Sequence, residues 1–309
     1  MRRCRRSSRT AGTDRLIWLL AILMLGCMVA GCQKQPVSAP TGAKDRLKVA
    51  VTIVPQATFV KEVGGDLIEV VTMVPPGGNP ENYSPIPQQM MQFSDADVYF
   101  SIGVPSEEAN LPRLLGLAPG IIVVDLPALV DQKYPPVTFP SGERDPHMWL
   151  SPQRVEEIVR ITAEQLTQMD PLHGDIYAAN SAAYIERLAQ LDDEIRAALA
   201  GLSSRTFIVY HPAFGYFAAD YGLTMIALEE EGKEAAAVDL QRVIDLARTQ
   251  HIKVVFYQAE IDSKQSRTLA AEIGGQAEMI APLDPDYIGN LHKTALTFKR
   301  VLEQSQEEQ

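Results

Sequence analysis

"IYAANSAAYIERLAQLDDEIRAALAGL", Ile176 to Leu202, reads as one unbroken helix. Its apolar stripe of Tyr184, Leu188, Leu191, Ile195, Ala198 and Leu202 recurs at spacings of three and four, with charged residues filling the other faces. At 1.5 Å per residue such a helix is about 40 Å long, enough to lie across two packed units rather than one. A strut of that length resists bending, so only a small hinge motion is expected between whatever it joins. Just upstream, "SPQRVEEIVRITAEQLTQM", Ser151 to Met169, reads as a second helix, capped by Ser151 and opened by Pro152 in its first turn. "DPLHGD" separates the two.

On either side of this pair the chain alternates β-branched runs with amphipathic segments, the pattern of parallel sheets covered by helices. "LKVAVTIV", "LIEVVTMV", "DVYFSIG" and "IIVVDL" read as four strands before it, with helices near 56–64, 87–95 and 106–116. "TFIVYH", "LTMIAL", "IKVVFYQ" and a segment ending near "EMIAP" read as four after it, with helices near 213–221, 236–250, 264–273 and 285–304. The expected fold is therefore α/β, with two lobes, each a parallel sheet flanked by helices, joined by a long rigid linking helix. The expected divisions are an N-terminal lobe over 46–150, linking helices over 151–204 and a C-terminal lobe over 205–309.

The first 31 residues fall outside that scheme. Six arginines precede an apolar run from Leu16 to Ala30, the layout of a secretory signal, and about fifteen residues is short of the roughly twenty that a spanning helix needs. Cys4 and Cys27 lie in this leader, so a mature chain keeps only Cys32 and forms no internal disulfide. Residues 32–45, beginning "CQKQPVSAPTGAK", are polar and read as a flexible tether. The whole chain of 309 residues carries a formal charge of −11, and the leader contributes six Arg and one Asp, which leaves −16 for the remainder. So acidic a body excludes a nucleic-acid partner, because phosphate binding requires basic surface.

Of the five histidines, two stand in unusual company. His211 ends a strand in "IVYHPAFGYF", where Pro212 stiffens the backbone and the following aromatics exclude water. In parallel sheets the C-terminal ends of strands form the ligand crevice. His147 lies in the crossover, in "DPHMWLSP", beside Trp149. His173, His251 and His292 fall at a helix break, a helix end and a late helix, and read as surface residues.

These phrases, together with "EEEGKEAAAVDLQRVIDLARTQHIKVVFYQAEIDSKQSRTLAAEIGG", resemble the cluster A-I substrate-binding lipoproteins of zinc and manganese ABC importers. The likeness covers nearly the whole mature part in the same order. "VAGC" at Val29 to Cys32 is similar to the lipobox, which implies lipid modification of Cys32. It also implies a divalent metal ion, zinc or manganese, as transported ligand in the interlobe cleft, and a permease as partner. The location implied is the cell envelope, lipid-anchored, on the periplasmic or extracellular face of the membrane, as a monomer.

The resemblance places metal ligands at His147 and His211. The first family ligand, usually a histidine in a proline-rich loop, falls on Glu81 within "PGGNPENYSPIP". At the far end Gln258 occupies the position where the family often has Glu, and Glu260 is the substitute two residues on. Ala281 aligns with an aspartate that is often present, and Asp284 lies three residues later. Water, Gln258, Glu260, or Glu107 and Glu108 remain as the fourth ligand. A carboxylate among imidazoles hardens the donor set and admits manganese or iron beside zinc. Further readings are the same fold with an altered or non-metal ligand, an adhesin-like surface lipoprotein, and a metal-dependent hydrolase. The hydrolase lacks support from any HExxH or G-x-S-x-G motif.

Overall fold

The computed structural model describes residues 46–230, 233–234, 236–261 and 264–307. The apolar leader, Cys32 and the tether lie outside the described residues.

The N-terminal half runs β1 (Leu47–Val51), α1 (Val54–Gly64), β2 (Ile68–Thr72), α2 (Pro87–Ser94), β3 (Val98–Ser101), α3 (Pro105–Leu117), β4 (Ile122–Asp125) and α4 (Leu126–Val130). Its strands form one parallel sheet in the order β2-β1-β3-β4, with Leu47 opposite Ile68, Val49 opposite Val98 and Val98 opposite Ile122. Val49, Val51, Val98 and Phe100 are fully buried because helices cover the sheet, which is why these strands read as continuous apolar runs. Each strand is shorter than its apolar run. Ile53 and Val74, just past β1 and β2, are buried in the turns that leave the sheet.

The linking pair follows, α5 (Pro152–Met169) and α6 (Gly174–Leu199). Ser151 caps α5 by accepting the Arg154 N–H, and Pro152 opens the helix as expected. Along α6 the stripe Tyr184, Leu188, Leu191 and Ile195 is buried. The helix ends at Leu199, three residues short of the expected end, with Ala198 half-buried and Leu199 buried in the last turn. Gly201, at φ 74, and the backbone that follows turn the chain toward the second sheet.

The C-terminal half runs β5 (Thr206–Val209), α7 (Gly215–Tyr221), β6 (Thr224–Ala227), β7 (Glu229–Glu230), β8 (Lys233–Glu234), α8 (Ala237–Thr249), β9 (Val254–Tyr257), α9 (Lys264–Glu272), β10 (Gln276–Met279) and α10 (Tyr287–Glu307). Its parallel sheet has the order β10-β9-β5-β6. The expected two-lobe α/β architecture with a long linking helix is the one observed. The hairpin β7–β8 was not legible: two residues per strand in the run "EEEGKE" offer no alternation of apolar and polar side chains to read.

One apolar cluster runs through both halves and the struts between them. Phe59 of α1 meets the edge of Tyr287 of α10 at 4.9 Å between ring centres and lies 6.5 Å from Tyr184 of α6. Phe298 of α10 sits among Phe207, Phe214, Phe217 and Phe256, with ring centres 4.5–5.5 Å away. Each such pair is worth about 0.5–1.5 kcal/mol beyond the area it buries. Polar ties cross the same seam: Thr58 Oγ1 donates to the Pro285 carbonyl and Trp149 Nε1 to the Pro282 carbonyl.

Candidate metal centre

Three segments distant in sequence converge on one point. The first is the loop after β2. Gly77 takes φ 79, a left-handed conformation that glycine adopts without strain, and the chain turns back so that Asn79 Oδ1 accepts the Glu81 N–H at 3.0 Å. The loop is then fastened to α3, where Ser106 N donates to the Pro80 carbonyl and Asn110 Nδ2 to the Tyr83 carbonyl. Glu81 is held by its backbone and keeps its carboxylate directed inward, one-fifth exposed.

His147 comes from the crossover between β4 and α5. Asp145, itself 1% exposed, folds back on the next turn: its Oδ1 accepts both the His147 N–H at 2.8 Å and ring Nδ1 at 2.7 Å. Trp149 packs on the imidazole with ring centres 5.1 Å apart. Tyr216 of α7 donates its hydroxyl to the Asp145 carbonyl at 3.0 Å, and burial pushes that phenol up to about 12, so it stays a donor.

His211 follows β5, the strand at which the order of the second sheet reverses, and strand ends at such a reversal form a crevice. Its Nδ1 lies 3.0 Å from Glu229 Oε2, and Glu229 is 8% exposed. A carboxylate only accepts, so in both histidines Nδ1 carries a proton, and it is Nε2 of the neutral ring that can donate a lone pair to a cation.

The two Nε2 atoms stand 3.1 Å apart, and Glu81 Oε1 lies 3.5 Å from that of His211 and 3.9 Å from that of His147. Among the described residues these three donors form the cluster able to hold a metal, all within 4.8 Å of one another. Two nitrogens sharing a tetrahedral zinc at 2.0–2.1 Å stand about 3.3 Å apart, so the observed edge matches a shared ion.

The other sequence candidates are placed differently. Glu260 is outside the cluster, with Oε2 buried and unpaired; Gln258 is buried just past β9, with Nε2 unpaired. Asp284 Oδ1 accepts the Asp286 N–H in a local turn. Glu108 is exposed. Glu107 is buried away from the cluster, accepting from Ile102 N, Gly103 N and Thr52 Oγ1, and burial pushes its carboxyl up. It organises the turn into α3, the helix that fastens the Glu81 loop. His173, His251 and His292 are not buried, as expected. Asp145 and Glu229, the carboxylates behind the two rings, are not among the residues the sequence offers as ligands. Asp145 had a signal, its position two residues before His147; Glu229 lies 18 residues from its histidine and had none.

The chain is similar to known zinc-uptake proteins. The family model described as "ZnuA: Zinc-uptake complex component A periplasmic" matches residues 49–301. The high-affinity zinc uptake system protein ZnuA of Bacillus subtilis (strain 168) is 28% identical over 286 residues, covering 86% of this chain and 89% of the relative. The zinc-binding lipoprotein AdcA of Streptococcus pneumoniae (strain ATCC BAA-255 / R6) is 26% identical over 314 residues, and this chain spans 60% of its length. A crystal structure of ZnuA superposes with a TM-score of 0.79 at 35% identity, covering 84% of this chain and all of the other.

Proposed function

This chain belongs to the family of the periplasmic component A of zinc-uptake complexes, and on that premise we propose that it captures a divalent metal ion, zinc or manganese, and hands it to the permease of an ABC importer. It is a binding component and not an enzyme. His147, His211 and Glu81 ligate the ion in this reading, and the fourth position falls to water, Gln258 or Glu260.

The observation that carries the reading is the convergence of the two Nε2 atoms, 3.1 Å apart, with a carboxylate at Nδ1 behind each ring. Two imidazole nitrogens so placed can both donate to one cation. Glu81 in place of a third imidazole adds a hard, charged donor, which supports manganese as a second cargo beside zinc.

The remaining assignments rest on the sequence. Cys32 in "VAGC" supports a lipid anchor that holds the protein at the outer face of the cytoplasmic membrane. Among the described residues no helix is long and apolar enough to cross a membrane. Residues 46–150 and 205–309 form the capture lobes, with 151–204 as the strut between them.

Titration of the metal-free protein with zinc and with manganese tests the proposal. One equivalent should bind tightly, and His147→Ala with His211→Ala together should remove that equivalent. Undiminished binding in the double variant defeats the assignment.

A further inference from the structure

The short hairpin β7–β8 does more than connect β6 to α8. Leu228 N donates to the Val209 and Tyr210 carbonyls at 3.0 and 3.1 Å, and Glu229 N donates to the Tyr210 carbonyl at 2.8 Å. The root of the hairpin is thus fixed to the residue immediately before His211, and Glu229 reaches the ring of that histidine from behind. Glu230 opposite Lys233 closes the hairpin.

We propose that Glu229 is a positioning residue that sets the affinity of the cation site by orienting His211. The proposal rests on the reading of His211 as a ligand. Glu229 does not bind the ion itself: its Oε2 sits at Nδ1, on the other side of the ring from Nε2, and its carboxylate is not among the donors that converge. Its work is threefold. It accepts the Nδ1 proton and so fixes the tautomer that leaves Nε2 free. It holds the ring in the plane that places Nε2 3.1 Å from its counterpart on His147. Its negative charge makes the imidazole a stronger donor to a cation.

Orienting partners of this kind alter metal affinity by about 10- to 100-fold when removed. A buried carboxylate is also a costly group to keep where packing alone is required, because taking a charge out of water must be offset by a specific partner.

The test compares zinc affinity, measured by competition with a chromophoric chelator, in the wild type, Glu229→Leu, Glu229→Gln and His211→Ala. Glu229→Leu is expected to weaken binding about 10- to 100-fold, and Glu229→Gln less, because the amide oxygen still accepts from Nδ1. Long-range proton–nitrogen NMR of the metal-free protein should show His211 protonated at Nδ1 in the wild type and in Glu229→Gln, and shifted toward the Nε2-protonated form in Glu229→Leu. Wild-type affinity in Glu229→Leu, equal losses in Leu and Gln, or an unchanged tautomer overturns the proposal. If Glu229→Leu fails to fold, the Gln variant decides: a His211 protonated at Nε2 in the wild type, or full affinity in Gln, refutes it. His211→Ala separates the two failures: wild-type binding there defeats the ligand reading itself, whereas its loss alongside intact Glu229→Leu binding removes only the role of Glu229.

Discussion

The two histidines reach the same point by different routes. His147 is oriented by a residue two positions away: Asp145 accepts both its backbone N–H and its ring, within a single turn of chain. His211 is oriented from 18 residues away, by a glutamate that arrives only once β5, α7, β6 and the hairpin root have assembled. One arm is set by local geometry; the other is a product of the folded sheet. The difference teaches that equivalent donors in one site need not be equally robust, because a local turn survives perturbations that a long-range contact does not.

The strongest way to break the comparison is to remove both imidazoles. A full ligand set for zinc is worth about 10–16 kcal/mol in small zinc domains, so losing two donors should abolish stoichiometric binding by a factor beyond about a thousand. Isothermal calorimetry of the His147→Ala, His211→Ala double variant checks this.

Next in size is the seat of the crossover arm. Trp149 is 1% exposed, packs on His147 and donates to the Pro282 carbonyl. Trp149→Ala should cost about 3–5 kcal/mol of stability in urea unfolding. If it weakens zinc binding as well, the local arm depends on its tertiary seat; if affinity is unchanged, the turn at Asp145 suffices alone.

Asp145→Ala sharpens the contrast directly. It should lower zinc affinity by about 10- to 100-fold, the same range expected for loss of the carboxylate behind His211. A much smaller loss would show that the turn around Asp145 orients the ring through its backbone.

The smallest effect concerns the third corner, where Glu107 supports α3 and through it the Glu81 loop. Burial holds the Glu107 carboxyl above the ordinary carboxylate range, so the folded state favours its neutral form. Its contribution to stability is complete below the unfolded carboxyl value and is lost as pH rises through the raised folded value. Glu107→Gln removes this dependence. The melting temperature of the variant relative to the wild type should therefore rise as pH increases from the acid range toward neutrality, and a constant difference refutes the expectation.

The legibility of the site follows the same division. His147 and His211 were singled out by their neighbours, Pro and Trp in one case and a strand end with three aromatics in the other. Glu81 followed only from the family resemblance, as the residue standing where a histidine is usual in a proline-rich loop, whose turn here depends on Gly77. Glu107, one of the acids the sequence offers as a fourth ligand, is instead a buried support, because its carboxylate is consumed by the backbone amides of Ile102 and Gly103. Nothing in "EEEGKE" distinguishes Glu229 from the two acids that follow it, since burial of one carboxylate among several is decided by which way the hairpin faces.

Composition and periodicity by themselves determined the α/β class and the long strut, because hydrophobic spacing and helix length are properties of a chain segment; the reading of His147 and His211 as ligands came from the family resemblance of the motifs around them. Tertiary structure alone decided the strand orders β2-β1-β3-β4 and β10-β9-β5-β6, the 3.1 Å separation of the two Nε2 atoms and the carboxylate behind His211. Those depend on distances between segments far apart in the chain, and only packing of one continuous core across both halves fixes such distances.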